Sequence, residues 1–548
     1  MLSPLRDWSL TTYPVARFER STMKKRSSMA LAAFAAVSLL LTGCGDVDKT
    51  PKEPDSEAYT TQVPLADDYD PNGHIRTGEQ SIPPSWDPIE SITNGDAVAY
   101  VAVYDRLLKT GTDGSPEPML AESFEPSDDN LSMVLKLREG VTFSDGTPFN
   151  AEAAKFNIDR AAAPTSKING ELNMVTSTEV VDEYTVKVNT DGGLGALAVA
   201  FTSRQGMMVS PTAAQAGTLP GMPTGIGPYV ATAINPGVSV DLDKTPNYWE
   251  PEVQRAAKMT YTLFSDDQAR YNALISGDID VARINPDQLD NVTKDGAIGM
   301  VHETPLFLYM AVNASVAPFD NPEVRKALNM AIDREAISQG LYDGYCTPSV
   351  QYVTESSPGY SDKLGDGSDV FPYDPEEAKK IIKEAGGEGT TITAVPPNVT
   401  IYTKLAEIVQ QQLSKVGITM EVKPVPPAQL VEEFAITKTA ESTVSIATVI
   451  NDPEAVHGRY LMPTSLFNPG KADYADLNAA ASAASLPLDP KERKPLYEKY
   501  WDAWVETPPH IIPICNVHLA GAVNDNVSGV EMLPDGAINL RGAAVAKK

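Results

Sequence analysis

LAESFEPSDDNLSMVLKLREGVTFSDGTPFNAEAAKFNIDR, residues 120–160, carries a strand pattern and a helix start in succession. Leu131, Met133, Leu135 and Leu137 alternate with their neighbours at the period of a half-buried strand. Ser144-Asp145-Gly146 then supplies turn chemistry, and Asn150 stands where a side chain caps the first N–H groups of a helix over AEAAKFNIDRA. Glu152 falls in that helix's first turn, where the macrodipole favours an acid. The segment is therefore expected to run strand, tight turn, helix.

The same punctuation recurs downstream. In DNPEVRKALNMAIDREAISQGL, Asn321 caps, Pro322 takes the first helical position, Val324, Leu328 and Ala331 share a face, and Asp333 caps a second helix. YDPEEAKKIIKEAGG repeats the device with Asp374, Pro375 and Glu377, turns Ile381 and Ile382 inward and stops at Gly386. TKLAEIVQQQLSKVGITMEV reads as a helix that ends near Gly417 and hands over to a strand. Alternating helices and strands of this kind predict an α/β architecture.

Six segments in order, PSWDP, VYDRLL, the 120–160 stretch, PTGIGPYVA, NPEVRKALNMAIDREAI and YDPEEAKKIIKEAG, resemble the family 5 extracellular solute-binding proteins, the oligopeptide, dipeptide and nickel binders of ABC importers. The resemblance spans residues 74–540. It implies a two-lobed periplasmic-binding-protein-like fold of type II, cluster C, with a hinge and a central cleft. Lobe I would comprise residues 68–306 and 512–548, and lobe II residues 307–511. The crossings fall near FLYMAVN (307–313) and PPHIIPICNVHLAG (508–521), both apolar and strand-like, as hinge strands must be to hold two lobes in register.

The resemblance also nominates ligand contacts. In peptide-binding members an aspartate four residues before the proline of a DP or EP motif pairs with the ligand's α-ammonium. In SIATVINDPEAVHGRY that position, counted from Pro453, is Val449. A valine cannot neutralise a buried ammonium, so the solute is expected to lack a conventional N-terminal ammonium, or Asp452 or another carboxylate substitutes. Asn451 and Asp452 remain the expected lobe II contacts. SIPPSWDP resembles the segment lining the cleft on lobe I, which nominates Pro84 and Ser85 and leaves Trp86 to the core.

The N-terminus reads separately. Lys24, Lys25 and Arg26 precede MALAAFAAVSLLL, about thirteen apolar residues where a membrane-crossing helix needs roughly 20. Residues 23–43 are therefore expected to be a signal peptide. Leu41-Thr42-Gly43-Cys44 resembles a bacterial lipobox, which makes Cys44 the lipidated N-terminus of the mature chain, tethered to the outer face of the cytoplasmic membrane through the polar segment 44–67. Translation starts at Met1 or, given the position of the basic cluster, at Met23. Outside the cytoplasm Cys346 and Cys515 are left either to pair as a disulfide or to stay as two buried thiols.

The 548-residue chain carries a net charge of −29, which disfavours nucleic acid as a partner. Asp68, Asp70, Asn72 and Glu79 match the spacing of a calcium loop, but HIRTGEQ lies where the family has its first strand, and an acidic tether end followed by a strand is the favoured reading. His510 and His518 stand eight residues apart, roughly 26 Å along a strand, so no metal is implied. PTGIGPY lacks the lysine and hydroxyl of an NTPase loop, and Gly225 and Gly227 are assigned to a tight turn; NPGKAD has Ala472 where Ser or Thr is required. No HExxH, GxSxG or CxxC occurs, so the chain is read as a non-enzyme without a cofactor. The expected function is a monomeric, lipid-anchored receptor that passes a peptide or other small solute to an ABC permease and its ATPase subunits. A surface receptor or adhesion lipoprotein, or an exported hydrolase, are the alternatives.

Overall fold

The computed structural model describes residues 59–91, 96–111, 114–447 and 452–547. Residues 23–43, expected to be a signal peptide, Cys44 and most of segment 44–67 lie outside the described residues, as do Val449 and Asn451.

The local expectations hold at their caps. Ser132–Leu137 is a strand, and Asn150 accepts a hydrogen bond from Ala153 N at the start of helix Ala151–Ala162. Leu131 is the exception on its face. The strand begins one residue later, so Leu131 falls in the preceding turn and is 46% exposed while Met133, Leu135 and Leu137 are buried. Asn321, Asp333 and Asp374 cap their helices, and Gly386 and Gly417 adopt positive φ where theirs end. Gly225 and Gly227 are a correction. Neither has a positive φ; a Cβ on either would lie 2.1–2.2 Å from Tyr104 or Val103, so both glycines serve close backbone approach, not a turn.

An eleven-stranded mixed sheet organises the molecule. Its order is Tyr229–Asn235, Ser239–Lys244, Lys258–Leu263, His74–Glu79, Val281–Ile284, Ile511–Val523, Ile298–Val312, Ser442–Ala447, Thr391–Ala394 and Thr419–Val422, with Cys346–Pro348 also paired to Ile511–Val523. The two long strands, Ile298–Val312 and Ile511–Val523, are antiparallel partners. Their ladder runs from Ile298↔Val523 to Glu303↔His518, breaks, and resumes at Phe307↔Asn516. Before the break the 511–523 strand also pairs Val281–Ile284; after it, the 298–312 strand pairs Ser442–Ala447.

Packing divides at the same place. One set of buried clusters draws on residues 63–301 and 519–545, and another on residues 307–517. Ile512, Ile514, Cys515 and Val517 belong to the second set, packed with Leu308, Met310 and Val444. A separate antiparallel sheet of Ala121–Pro126, Ser132–Leu137, Thr185–Thr190 and Val175–Asp182 lies under helix Ala151–Ala162, with Leu135, Val186, Val188 and Ile158 fully buried between them. Each such side chain contributes about 1.5–3 kcal/mol by leaving water.

Candidate functional site

The ladder break positions the site. Ala447 lies opposite Phe307, the first residue after the break, so strand Ser442–Ala447 ends where the two packing units meet. Asp452 caps the short helix Pro453–Val456 by accepting from Glu454 N at 2.9 Å. Asp452 is 2% exposed, and its carboxylate also accepts from Arg493 Nη1 at 2.6 Å and Tyr497 OH at 2.8 Å. In this geometry both Asp452 carboxylate oxygens already have protein donors. A buried carboxylate needs a compensating charge, and Arg493 on helix Pro490–Glu506 provides it. Asp452 is thereby fixed at the start of helix Pro453–Val456.

Behind it, burial pushes the Glu454 carboxyl up to about 8, helped by the Asp452 charge and opposed by Arg493. Burial likewise lowers His457 to about 4. His457 is 1% exposed and belongs to an aromatic core with Tyr500, as a core histidine does. His510 is also buried, facing Tyr474 OH at 2.9 Å.

The contacts nominated on the other lobe belong to the first packing unit. Pro84 is exposed and Ser85 half-buried; Ser85 O accepts from Tyr100 OH at 2.7 Å. Trp86 is core, 2% exposed and edge-on to Tyr100. Next to them Ser91 Oγ donates to Asp96 Oδ2 at 2.7 Å and accepts from Arg204 Nη1 at 2.8 Å. Arg204 is 6% exposed, and burial lowers its pKa below the ordinary guanidinium value. Sequence reasoning missed Arg204 and Arg493, because nothing in the periodicity around either signals a partner 113 or 41 residues away.

The calcium-loop residues do not assemble. Asp68 pairs with Lys547, Asp70 accepts from Asn72 N at 2.9 Å, and Glu79 sits at the end of strand His74–Glu79 bonded to Thr77. Among the described residues no three His, Cys, Asp or Glu side chains group as a metal site.

The break itself holds titratable groups. Burial pushes the half-buried Glu303 up to about 7, with bonds from Thr347 and Asn516 opposing and the Glu355 charge adding. Burial lowers His518 to about 4, and His518 Nε2 meets Thr347 Oγ1 at 2.7 Å. Folded Glu303 holds a proton that the unfolded chain, with its ordinary value of 4.5, has already lost, so its contribution to stability falls as pH rises from about 4.5 to 7. Glu303→Gln removes that loss. The variant is expected to show a higher urea midpoint than the parent at pH 8, with the gap closing toward pH 4. An equal gap at both pH values would show that Glu303 does not titrate there.

The family model for bacterial extracellular solute-binding proteins, family 5 Middle, matches residues 115–462. The glutathione-binding protein GsiB of Shigella flexneri serotype 5b (strain 8401) is 30% identical over 477 residues, covering 83% of this chain and 91% of that protein. Among solved structures, the ABC transporter substrate-binding protein CtaP of Listeria monocytogenes superposes with a TM-score of 0.74 at 24% identity, over 87% of this chain and 100% of that one. The periplasmic binding protein DppA of Helicobacter pylori, in complex with peptide STSA, superposes with a TM-score of 0.71 at 21% identity, over 87% and 98%. These structures share the two-lobed fold.

Proposed function

The chain belongs to the bacterial extracellular solute-binding proteins of family 5, and we propose that it captures a small peptide-like solute between two lobes that close about the 303–307 ladder break. It is the substrate-binding protein of an ABC importer and not an enzyme. Lobe I is proposed as residues 68–306 with the C-terminal segment, and lobe II as residues 307–511. Residues 512–517 pack on the second lobe's core, which favours a return crossing at about residue 518. The observation that carries the reading is the ladder break between Glu303 and Phe307, beside which strand Ser442–Ala447 ends and the two packing units meet. A solute bound there adds contacts available only in the closed state and shifts the open-to-closed equilibrium.

Val449, Asn451, Pro84 and Ser85 are proposed as contacts. Val449 offers no charge to an α-ammonium, which disfavours ordinary free peptides. In glutathione, which the Shigella relative is named for binding, the first residue is joined through its side-chain carboxyl, so its ammonium lies off the position an ordinary peptide presents. Reduced glutathione is therefore the first probe. At 100 times its Kd a ligand of the native state adds about 2.7 kcal/mol of stability. The full chain is expected to melt at higher temperature with reduced glutathione than with trialanine. A larger shift with trialanine would sink the reading of Val449.

Anchoring is proposed on the Leu41–Cys44 lipobox and the polar segment 44–67. Among the described residues no helix is long and apolar enough to cross a membrane. Cys44→Ser is expected to abolish labelling by radioactive palmitate and release the protein from the membrane fraction; retained label would overturn the anchor.

A further inference from the structure

Glu303 ends the first-lobe half of the long ladder, and the groups around its side chain belong to the other half. It lies opposite His518 on strand Ile511–Val523, and Asn516, two residues from His518, projects from the same face. Thr347 on Cys346–Pro348 lies opposite Asn516, and its Oγ1 meets His518 Nε2 at 2.7 Å. Glu303, His518, Asn516 and Thr347 therefore share one face of the sheet beside the break. Asn516 is tied to the second lobe, because its Nδ2 donates to Gln351 O at 3.5 Å and to Val353 O at 3.2 Å. Those two carbonyls fix the amide's orientation and turn Oδ1 away from them. Asn516 is 1% exposed, and among the described residues its Oδ1 meets no hydrogen-bond donor.

The titratable groups around Glu303 are His302, next to it on its own strand, His518, Glu355 and Tyr360. Burial lowers His518 to about 4, so near neutral pH it gives no countercharge. The charge of Glu355 opposes ionisation of Glu303. Burial raises the Tyr360 hydroxyl to about 12, helped by the charges of Glu355 and Glu303. Thr304 faces the other way and packs against Gly536, whose neighbour Asp535 acts on Arg106 and Arg283.

We infer that Glu303 is a proton-operated latch across the hinge. Its neutral carboxyl donates to Asn516 Oδ1 and accepts from Thr347, which ties the last residue of the first-lobe ladder to two residues of the second lobe. Loss of the proton leaves Oδ1 without a donor and sets a carboxylate against both that oxygen and the Glu355 charge. The angle between the lobes is then released. Position gives the latch its leverage, since a bond at the break acts on the few residues whose dihedrals absorb lobe motion. Burial pushes Glu303 up to about 7, so the latch opens as pH rises through neutrality. The inference rests on the proposed two-lobed capture and adds its regulation: a proton and the solute act on one lobe arrangement, so each changes the affinity of the other.

Neutron scattering on the full chain, with the detergent contrast-matched, reads that arrangement without a ligand. The parent's radius of gyration is expected to differ between pH 5.5 and pH 8.5, with a midpoint of about 7. Glu303→Gln keeps a donor for Asn516 and never ionises, so at pH 8.5 it is expected to retain the radius that the parent has at pH 5.5. Glu303→Ala has no latch and is expected to show the parent's pH 8.5 radius at both pH values. A parent radius that ignores pH, or a glutamine variant that shifts as the parent does, overturns the latch. Reduced glutathione added to the parent at pH 5.5 tests capture separately. A radius that changes with solute but not with pH leaves two-lobed capture standing and overturns the latch. A radius that changes with pH but not with solute supports the latch and removes glutathione as the solute.

Discussion

Arg493→Met is expected to destabilise the protein by about 3–5 kcal/mol, the range for removing one partner of a buried ion pair. Arg493 and Asp452 are 2% and 3% exposed at their side chains. Methionine fills the volume but leaves the Asp452 carboxylate with Tyr497 and one backbone N–H as its remaining donors. The carboxyl then either stays charged in a low-dielectric interior or takes up a proton, and either outcome costs stability. Urea denaturation at pH 7 reads the loss. The double variant Asp452→Asn with Arg493→Met removes both charges and is expected to recover a large part of it. If the single variant unfolded at the parent's midpoint, the pair would not be what holds the start of helix Pro453–Val456.

The two arginines mark where the sequence stops being legible. Helix caps at Asn150, Asn321, Asp333 and Asp374 were readable because each acts within two or three residues of itself. The strand at 132–137 was readable because alternation is a local signal, and it misled at Leu131 because a period does not say where a strand begins. The apolar stretches 307–313 and 508–521 were recognised as strand-like, yet their pairing, their extension to Ile298 and Val523 and the break between Glu303 and Phe307 depend on partners some two hundred residues apart. The acidic spacing at 68–79 is equally silent about distant partners: Asp68 pairs with Lys547 at the far end of the chain. Asp452 was nominated by its place in a motif, and only the fold shows that its charge is already used by Arg493.

Loss of the Cys346–Cys515 bond is the second large effect, about 2–5 kcal/mol toward unfolding. The sequence left the pair open between a bridge and two thiols; the fold joins them, with Cα atoms 5.4 Å apart and a sequence separation of 169. A loop of that length lies at the upper end of what chain entropy lets a cross-link contribute, because the unfolded chain loses so many conformations when its ends are tied. Location adds to length. Cys515 belongs to the long strand just past the ladder break, and Cys346 to the short strand Cys346–Pro348 that lines its edge. The residues following Cys346, from Ser349 onward, place Val350, Tyr352 and Val353 in the second lobe's core without belonging to a regular strand or helix. The bridge therefore pins an irregular segment to the strand about which the lobes are proposed to turn. Cys346→Ala with Cys515→Ala is expected to lower the urea midpoint by the amount stated. Both cysteines are buried at 0% and 1% exposure, so dithiothreitol should leave the parent unchanged under native conditions and act only once it has unfolded. Rapid reduction of the folded parent would mean that this edge opens readily, and then the strand beside the break would be too loosely held to act as a hinge.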